Sequence, residues 1–291
     1  MKKYPTKLRV KPNAGFSLID TMVGMVIAML GMIIIFQVFS ISESVKRTTT
    51  SGGDAQQTGA MSLFTLERSL KEAGYGIFVN NVPPLPNDNL ATTVPVTITF
   101  GAANTSDTIA IVSRKNWDFG AFLPDTTAFP AAIPPRPTTE TISVNAQGQL
   151  VSVTSMTPNA APLYTVSAVV PDATAVIADG IALMKAQYGT DANADGIIQP
   201  GEWTTAAPAN PLTVLAVRLV VVARSAQPEK PSVAGGACDT TIVAPTWSGT
   251  ALTPLLLTGQ ADLLAAGDDW KCYRYKTFEN TVYLRNLVWR P

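Results

Sequence analysis

The chain of 291 residues contains no histidine, only two cysteines, and only 14% charged residues. The absence of histidine removes the commonest general base and the commonest transition-metal ligand. Two cysteines without any histidine make a poor ligand set for zinc. A serine nucleophile would need a lysine base, and the sequence offers neither a Ser-x-x-Lys motif in a plausible site nor a Gly-x-Ser-x-Gly turn. The sequence therefore predicts a protein that is not an enzyme.

Charge is distributed unevenly along the chain. The first 15 residues hold five basic side chains and no acid, and they are followed by 16 basic and 21 acidic residues, a net charge of −5 for residues 16–291. That balance makes nucleic acid an unsuitable partner. The basic residues of the leader are Lys2, Lys3, Lys7, Arg9 and Lys11. A basic segment ahead of an apolar run predicts that the run starts on the cytoplasmic side of a membrane.

Residues 16–39 form a nearly unbroken apolar run, and its single acid is Asp20. Twenty-four residues are enough for a helix to cross a hydrocarbon core about 30 Å thick. An ionised carboxylate inside hydrocarbon is costly and by default marks a functional position with a charged partner. The alternative is that Asp20 lies at the membrane surface and extends into the headgroups.

The segment Asn13-Ala-Gly-Phe-Ser-Leu-Ile-Asp20 resembles the prepilin signature of type IV pilins and type II secretion pseudopilins. The resemblance implies that a membrane prepilin peptidase cuts between Gly15 and Phe16 and methylates the new amino terminus. The apolar run then stays with the mature protein, whereas a secretory signal is discarded. It also implies that Asp20 neutralises the amine of Phe16, on a neighbouring subunit or on its own chain, during filament assembly. Most relatives have Glu at this position, so Asp20 is shorter by one methylene.

A narrower resemblance, to PilW-type minor pilins and the related GspJ-type pseudopilins, covers most of the chain except residues 114–160. The segments that carry it are Leu66–Tyr75, Ser106–Val112, Gln187–Gly189, Val217–Arg224 and Val282–Asn286. It implies a structural protein that helps to initiate type IV pilus assembly, lies near the filament tip and supports twitching motility. The implied partners are other minor and major pilins and a tip adhesin, which contributes cell adhesion.

The same resemblance implies a location. The precursor is expected as a single-pass protein of the inner membrane with its head in the periplasm, and the assembled protein in the extracellular pilus. Two alternatives stay open. One is a minor pseudopilin of a type II secretion system; the other is a calcium-binding adhesin that keeps its leader and stays anchored in the membrane.

The pattern along the chain predicts an α+β, pilin-like fold in which a long N-terminal helix packs on a mainly antiparallel β head. The expected parts are a leader (1–15), a transmembrane half-helix (16–39), an exposed half-helix (40–75) and a β-rich head (76–291). An apolar stripe of Leu63, Leu66, Leu70 and Ala73 is expected to lie on the sheet, with Gly74 ending the helix.

Glycine and threonine in residues 46–60 predict a weak middle that unwinds in a filament. The predicted strands are Val94–Phe100, Thr108–Ser113, Thr141–Val144, Leu150–Ser155, Tyr164–Val170, Ile181–Tyr188, Leu212–Arg224 and Val282–Trp289. Alternating apolar residues bounded by Pro-rich turns are the basis for these strands.

Residues 191–202 fit the calcium-loop pattern over all twelve positions. Asp, Asn, Asp, Gly and Glu stand at positions one, three, five, six and twelve, and oxygen ligands of these types suit Ca²⁺. The predicted ligands are Asp191, Asn193, Asp195, the Ile197 carbonyl and Glu202. Strand-like flanks place the loop at the tip of a hairpin, so no opening of helices is expected. The alternative is an Asx-rich turn that is held by its own side chains.

The two cysteines, Cys238 and Cys272, are expected to form a disulfide because the head is exported to an oxidising compartment. On the chain-entropy model a loop of this length stabilises the fold by about 3 to 4 kcal/mol. The alternative is a pair of free thiols.

Overall fold

The computed structural model describes residues 17–75, 94–113, 138–156, 173–231, 233, 235–249 and 270–288. Gly15, Phe16 and the predicted strand Tyr164–Val170 lie outside these residues. The chain divides into two units, residues 1–49 and residues 50–291. Within the described residues the second unit contains two antiparallel sheets and the C-terminal part of a long helix, so the predicted α+β class is confirmed.

Helix α1 runs from Leu18 to Lys71 without interruption. At its start the Ser17 side-chain oxygen accepts a hydrogen bond from the amide of Ile19 at 3.3 Å. The chain leaves the helix through Gly74, which has φ +74° and donates its amide to Val112 at 2.8 Å. Gly74 is the residue type that tolerates this left-handed conformation, so the predicted helix end is confirmed.

The first sheet has the strand order β1-β2-β3-β4-β5, with every neighbouring pair antiparallel. Its strands are β1 (Val96–Thr99), β2 (Thr108–Ser113), β3 (Thr138–Val144), β4 (Leu150–Met156) and β5 (Ala173–Ala178). The turn between β3 and β4 is fixed by Asn145, whose side-chain oxygen accepts the amides of Gln147 and Gln149. Strand β5 was missed because its small residues are largely exposed on both faces.

The second sheet has the order β7-β6-β8-β9, again antiparallel. Its strands are β6 (Ile181–Thr190), β7 (Trp203–Thr204), β8 (Val214–Arg224) and β9 (Tyr275–Tyr283). Strand β8 is buried on both faces, which explains its nearly continuous apolar run. Leu219 and Val221 face the main core, whereas Val220 and Val222 face a smaller cluster around Trp247.

The main core is formed by both sheets and by α1 residues from Ala55 onward. Leu66, Leu70 and Ala73 are completely buried, and Leu63 is partly buried against the same core. The predicted apolar stripe is therefore confirmed. Burial of one leucine side chain stabilises a fold by about 1.5 to 3 kcal/mol, so this stripe holds the helix firmly on the sheets.

One predicted strand is wrong over most of its length. Residues Val282 and Tyr283 end β9, but Arg285–Val288 form a short helix, α2, instead of continuing the strand. The reason is a tertiary contact: the Asn286 side chain donates hydrogen bonds to the carbonyls of Lys71 at 3.2 Å and Ala73 at 3.0 Å. These carbonyls at the end of α1 have no partner inside the helix, and Asn286 satisfies them.

Gly59 is a close-packing residue. A Cβ at this position would lie 2.2 Å from Phe278 Cε2 and 3.1 Å from Ala223 Cβ. The sequence favoured flexibility at the glycines of residues 46–60, but Gly59 allows α1 to approach β8 and β9. Gly52 and Gly53 have no such neighbours. The helix is continuous here, and its unwinding in a filament stays a prediction.

A buried ion pair joins the loop between β1 and β2 to the edge of β6. Asp107 accepts hydrogen bonds from Lys185 Nζ at 2.9 Å, Gly101 N at 2.9 Å and Ala186 N at 2.8 Å. Its side chain is 2% exposed, and that of Lys185 is 13% exposed. Strand β7 pairs only with the end of β6, so among the described residues the Ala186 amide lies on an edge without a neighbouring strand. Asp107 accepts this amide and thereby links the two sheets.

Candidate functional site

The N-terminal part of α1 exposes nearly all of its large apolar side chains. Leu18, Ile27, Phe36 and Val45 are each more than half exposed, as are most apolar residues between them. By length and composition this helix can cross a membrane. A contiguous apolar surface of this size marks contact with lipid or with other apolar helices. The helix is therefore a candidate membrane anchor.

Asp20 lies in the first turn of α1 and is exposed. A carboxylate in a first turn interacts favourably with the positive end of the helix dipole. Gly15 and Phe16, the predicted processing residues, lie outside the described part of the chain. The predicted pairing of Asp20 with the Phe16 amine stays a prediction.

Residues 191–202 connect β6 to β7, so the predicted calcium loop does lie at the tip of a hairpin. Its ends are held together by ladder pairing of Gly189 with Trp203 and of Tyr188 with Thr204. A short 3₁₀ helix, Pro200–Glu202, precedes β7. The flanks are strands, as the sequence predicted, but the second flank is the two-residue β7 rather than β8.

The loop is wound around the carboxylate of Asp191. This carboxylate accepts the amides of Asp195 at 3.1 Å and Gly196 at 2.8 Å. Gly196 has φ +78°, which permits the sharp turn at the sixth position, and Ala194 also has a positive φ of 59°. The backbone amides at the centre of the loop therefore point at its first acidic residue.

Asp195 is held in the same way. Its carboxylate accepts the Ile197 amide at 2.8 Å and the side-chain amides of Asn193 at 2.9 Å and Gln199 at 3.0 Å. These bonds, the Ile197 amide first, lower the pKa of Asp195 below its ordinary value. The hydrogen bonds therefore favour the ionised form of this side chain, which is the form that a cation ligand needs.

Glu202 is hydrogen-bonded to the backbone of the loop. One oxygen accepts the Ala192 amide at 3.1 Å and the other accepts the Gln199 amide at 2.8 Å. Among the described residues, no three acidic, histidine or cysteine side chains are gathered closely enough to hold a metal ion. The structure thus places the five predicted ligands in one loop without bringing Asp191, Asp195 and Glu202 to a common centre.

A small cluster of Ile198, Trp203 and Arg218 anchors the loop on the sheet, and the sequence did not reveal it. A Cβ on Gly189 would lie 2.8 Å from both Ile198 Cδ1 and Trp203 Cζ3, so these two side chains cover the glycine. The guanidinium of Arg218 stacks 3.9 Å from the centre of the Trp203 ring. Such a cation–π contact contributes about 0.5 to 1 kcal/mol at an exposed site. The sequence feature that could have indicated this cluster is the tryptophan directly after the twelfth loop position.

Cys238 and Cys272 form the predicted disulfide, with their Cα atoms 4.8 Å apart. Neighbouring hydrogen bonds hold the same region to the short 3₁₀ helix Trp270–Cys272, which precedes β9: the Glu229 amide donates to Cys272 O at 2.7 Å, and Thr241 N donates to Lys271 O at 3.0 Å. Arg274 also forms a two-point ion pair with Glu229. The disulfide is thus one of several links between the described residues of 226–249 and residues 271–274, which precede β9.

Comparison of the sequence with models of known protein families found one match. Residues 143–286 match a family model described as type IV pilus-assembly protein W, the PilW family. This part of the chain is PilW-like. The match begins in β3 and ends in α2, so it spans the whole of the second sheet, the loop 191–202 and both cysteines. It confirms the resemblance to PilW-type proteins and supports a type IV pilus minor pilin.

A solved structure of a type IV-like pilin from Thermus thermophilus is also similar. The identity is 15% and the TM-score 0.38, and the alignment covers 78% of this chain and 95% of that chain. No curated protein matches the chain. Because PilW proteins are pilus-assembly proteins, the family match implies interaction with other pilins.

Proposed function

We propose that this protein is a minor pilin that takes part in the initiation of type IV pilus assembly and lies near the filament tip. The single observation that carries the proposal is the PilW match over residues 143–286 in a chain with an exposed apolar helix near its start. The protein is a structural and interaction protein in this proposal, and catalysis has no part in it.

The exposed helix gives the proposal a physical basis. Before assembly its apolar side chains are solvated by lipid of the inner membrane, while the head lies in the periplasm. After cleavage between Gly15 and Phe16 by prepilin peptidase and methylation, the helix transfers into a bundle with the helices of other minor and major pilins. Asp20 and the Phe16 amine then neutralise each other, because a lone charge among apolar helices is costly.

The size of the head supports the proposed tip position. The described residues of the second unit hold two sheets, and we expect a head of this size to crowd a close-packed helical shaft. A rare subunit at the tip avoids this crowding, and it places the head where a tip adhesin could bind it. Immunogold labelling should mark filament ends, and even labelling along filaments would contradict the tip position.

Mass spectrometry of the mature amino terminus tests the processing step. We expect a chain that begins with a methylated Phe16. A Gly15→Val variant should keep its leader and remain out of filaments, whereas Gly24→Val, a matched change where a Cβ meets no neighbour, should be processed. A wild-type protein that keeps its leader in the membrane would instead favour the membrane-anchored calcium-binding adhesin.

A minor pseudopilin of a type II secretion system is the second alternative, because it shares the helix and differs in its partners. Deletion of the gene separates the two. Loss of piliation and twitching motility with normal enzyme secretion is the expected result. Loss of secretion with normal pili would assign the protein to the secretion system.

We further propose that residues 191–202 bind Ca²⁺. Supporting this are the complete twelve-position pattern, the left-handed Gly196, and the hydrogen bonds that favour the ionised form of Asp195. Asp191, Asn193, Asp195, the Ile197 carbonyl and Glu202 would hold the ion. Because Glu202 is now bonded to the amides of Ala192 and Gln199, binding requires this side chain to exchange those bonds for the cation.

Calorimetric titration of the full chain in detergent with Ca²⁺ tests the proposal. Binding should be lost in Asp195→Ala and retained in Asp54→Ala, which removes an exposed acid of α1 far from the loop in sequence. Absence of binding to the wild-type chain, or equal binding by both variants, would refute the calcium site.

A further inference from the structure

The part of α1 that packs on the sheets has an outward side with two exposed apolar residues. On the inward side Leu66 and Leu70 are completely buried. On the outward side Met61 is 57% exposed and Phe64 is 68% exposed. The two lie three positions apart, so their side chains are neighbours on the helix surface. Among residues 50–71, all of which the structure describes, they are the only exposed large apolar side chains.

Polar residues border this pair along the helix. Gln57 lies about one turn before Met61, and Arg68 lies one turn after Phe64; both are exposed. The Arg68 guanidinium also forms an ion pair with Glu72 at 3.5 Å. Phenylalanine, methionine and arginine are enriched in protein–protein interfaces, in which an apolar centre is surrounded by a polar rim. We call Met61, Phe64 and Arg68 the outward patch.

Lipid does not fit as the cover of the outward patch. The apolar run that is long enough to cross a membrane ends at Phe39. Four charged residues lie between this end and the patch: Glu43, Lys46, Arg47 and Asp54. A charged side chain inside hydrocarbon is costly, so this stretch of the helix belongs in water. The cover that fits the patch is therefore the surface of another protein.

We propose that the outward patch binds an apolar pocket of a neighbouring pilin subunit in the filament. The proposal rests on the proposed function as a minor pilin, and it adds the residues with which the head contacts its neighbour. Phe64 enters the pocket as the aromatic anchor, and the flexible side chain of Met61 packs against the wall of the pocket. Arg68 pairs with acceptor groups at the rim. The PilW match implies partners of this kind.

Oxidation by hydrogen peroxide measures whether the patch is covered. Peroxide transfers one oxygen atom to an accessible methionine thioether, which gives methionine sulfoxide and water. The full chain is compared in detergent, in lipid nanodiscs and in purified filaments. Targeted mass spectrometry follows the oxidation of Met61. The internal control is Met184, which is completely buried in the head.

We expect Met61 to be oxidised readily in detergent and in nanodiscs, and several-fold more slowly in filaments. Met184 should react slowly in all three samples. Equal oxidation of Met61 in filaments and in detergent would refute the contact. Protection that is already present in nanodiscs would identify lipid as the cover, and protection in detergent by a dimer would identify a second copy of the chain. Either of these two results would overturn the assignment to a neighbouring pilin.

Variants test the same contact by incorporation into filaments. Phe64→Gln and Met61→Gln remove the apolar groups and keep a residue type that favours a helix. The matched control is Val176→Gln, which changes a 53% exposed valine of β5. All three variants should melt as the wild type does, because these side chains are exposed in the isolated chain.

Phe64→Gln should reduce the amount of the protein in filaments by about tenfold, a common effect of removing a central aromatic residue from an interface. Met61→Gln should reduce it less, and Val176→Gln should leave it unchanged. Normal incorporation of Phe64→Gln would refute the contact and leave the proposed function intact. Filaments that contain none of the wild-type protein would refute the proposed function and the contact together.

Discussion

Removal of Asp107, a buried charged residue, should strongly destabilise the head. Asp107→Ala deletes an acceptor of three hydrogen bonds and leaves Lys185, 13% exposed, without its carboxylate. Removing one member of a buried ion pair costs about 3 to 5 kcal/mol, because the other charge stays buried and uncompensated. Two carbonyls, of Gly101 and Ala102, still accept from Lys185, which favours the lower end of this range.

This loss of stability can be expressed as a shift of the melting temperature. For a domain of this size, 1 kcal/mol shifts the midpoint by about 2 to 4 °C. Asp107→Ala should therefore lower it by about 6 to 12 °C. The assay is thermal unfolding of the full chain in detergent, followed by near-ultraviolet circular dichroism of the tryptophans and tyrosines in the head.

A double-mutant cycle separates the ion pair from general loss of packing. Lys185→Met leaves Asp107 with the two backbone donors Gly101 and Ala186, so it should be milder than Asp107→Ala. The double variant should be less destabilised than the sum of the single variants, by about 1 to 3 kcal/mol. Arg68→Ala, which breaks an exposed pair, is the control and should shift stability by less than about 1 kcal/mol. Additive single effects, or an Asp107→Ala shift no larger than that of Arg68→Ala, would refute the reasoning.

Three further predictions concern the same head. Gly59→Ala should destabilise it by about 1 to 3 kcal/mol in thermal unfolding because the new methyl group meets Phe278, whereas Gly52→Ala, where nothing lies within 4 Å, should be neutral or stabilising by up to about 1 kcal/mol. Replacing Cys272 by Ser should cost about 4 kcal/mol for the 34-residue separation, measured under oxidising conditions, and a reducing agent should lower the wild type equally without affecting the variant. Hydrogen bonding by Lys71 lowers the pKa of Glu67 below its ordinary value of 4.5. The stabilisation of the fold by ionised Glu67 is therefore fully present above pH 4.5, and it is lost as the pH falls through the lower pKa of the folded state. The Glu67→Gln variant should melt at a lower temperature than the wild type at about pH 7 and at the same temperature in acid.

Local patterns determined much of the fold. Strand β2 has the bounds that its alternating residues predicted, Thr108–Ser113, and the hairpin turn at Asn145 follows from an Asx side chain that bonds the backbone two and four residues ahead. The helix end at Gly74 and the Leu66–Leu70 stripe were also predictable. These features depend on residues close together in the sequence, and periodicity and turn chemistry report such interactions directly.

Errors occurred where distant residues decide the conformation. Residues 285–288 are helical because Asn286 caps the end of α1, a contact across more than 200 positions. Strand β5 pairs with β4 although its own pattern, exposed on both faces, gives no period-two signal. Strand β7 has only two residues and exists because Trp203 pairs with Gly189. These partners are distant in the sequence, so rules based on neighbouring residues cannot predict the contacts.

For the candidate sites, the sequence alone determined the residue types: an apolar run (residues 16–39) with one acid, two cysteines, and a twelve-residue loop whose oxygen ligands suit Ca²⁺. The tertiary structure decided what surrounds them. In the folded chain Glu202 accepts two backbone amides, and Arg218 stacks on Trp203 and donates a hydrogen bond to the Ser248 carbonyl. Gly59 packs closely against Phe278. The type of ligand depends on the side chain alone and can be read from the sequence. Distances and burial depend on residues that come together only when the chain folds.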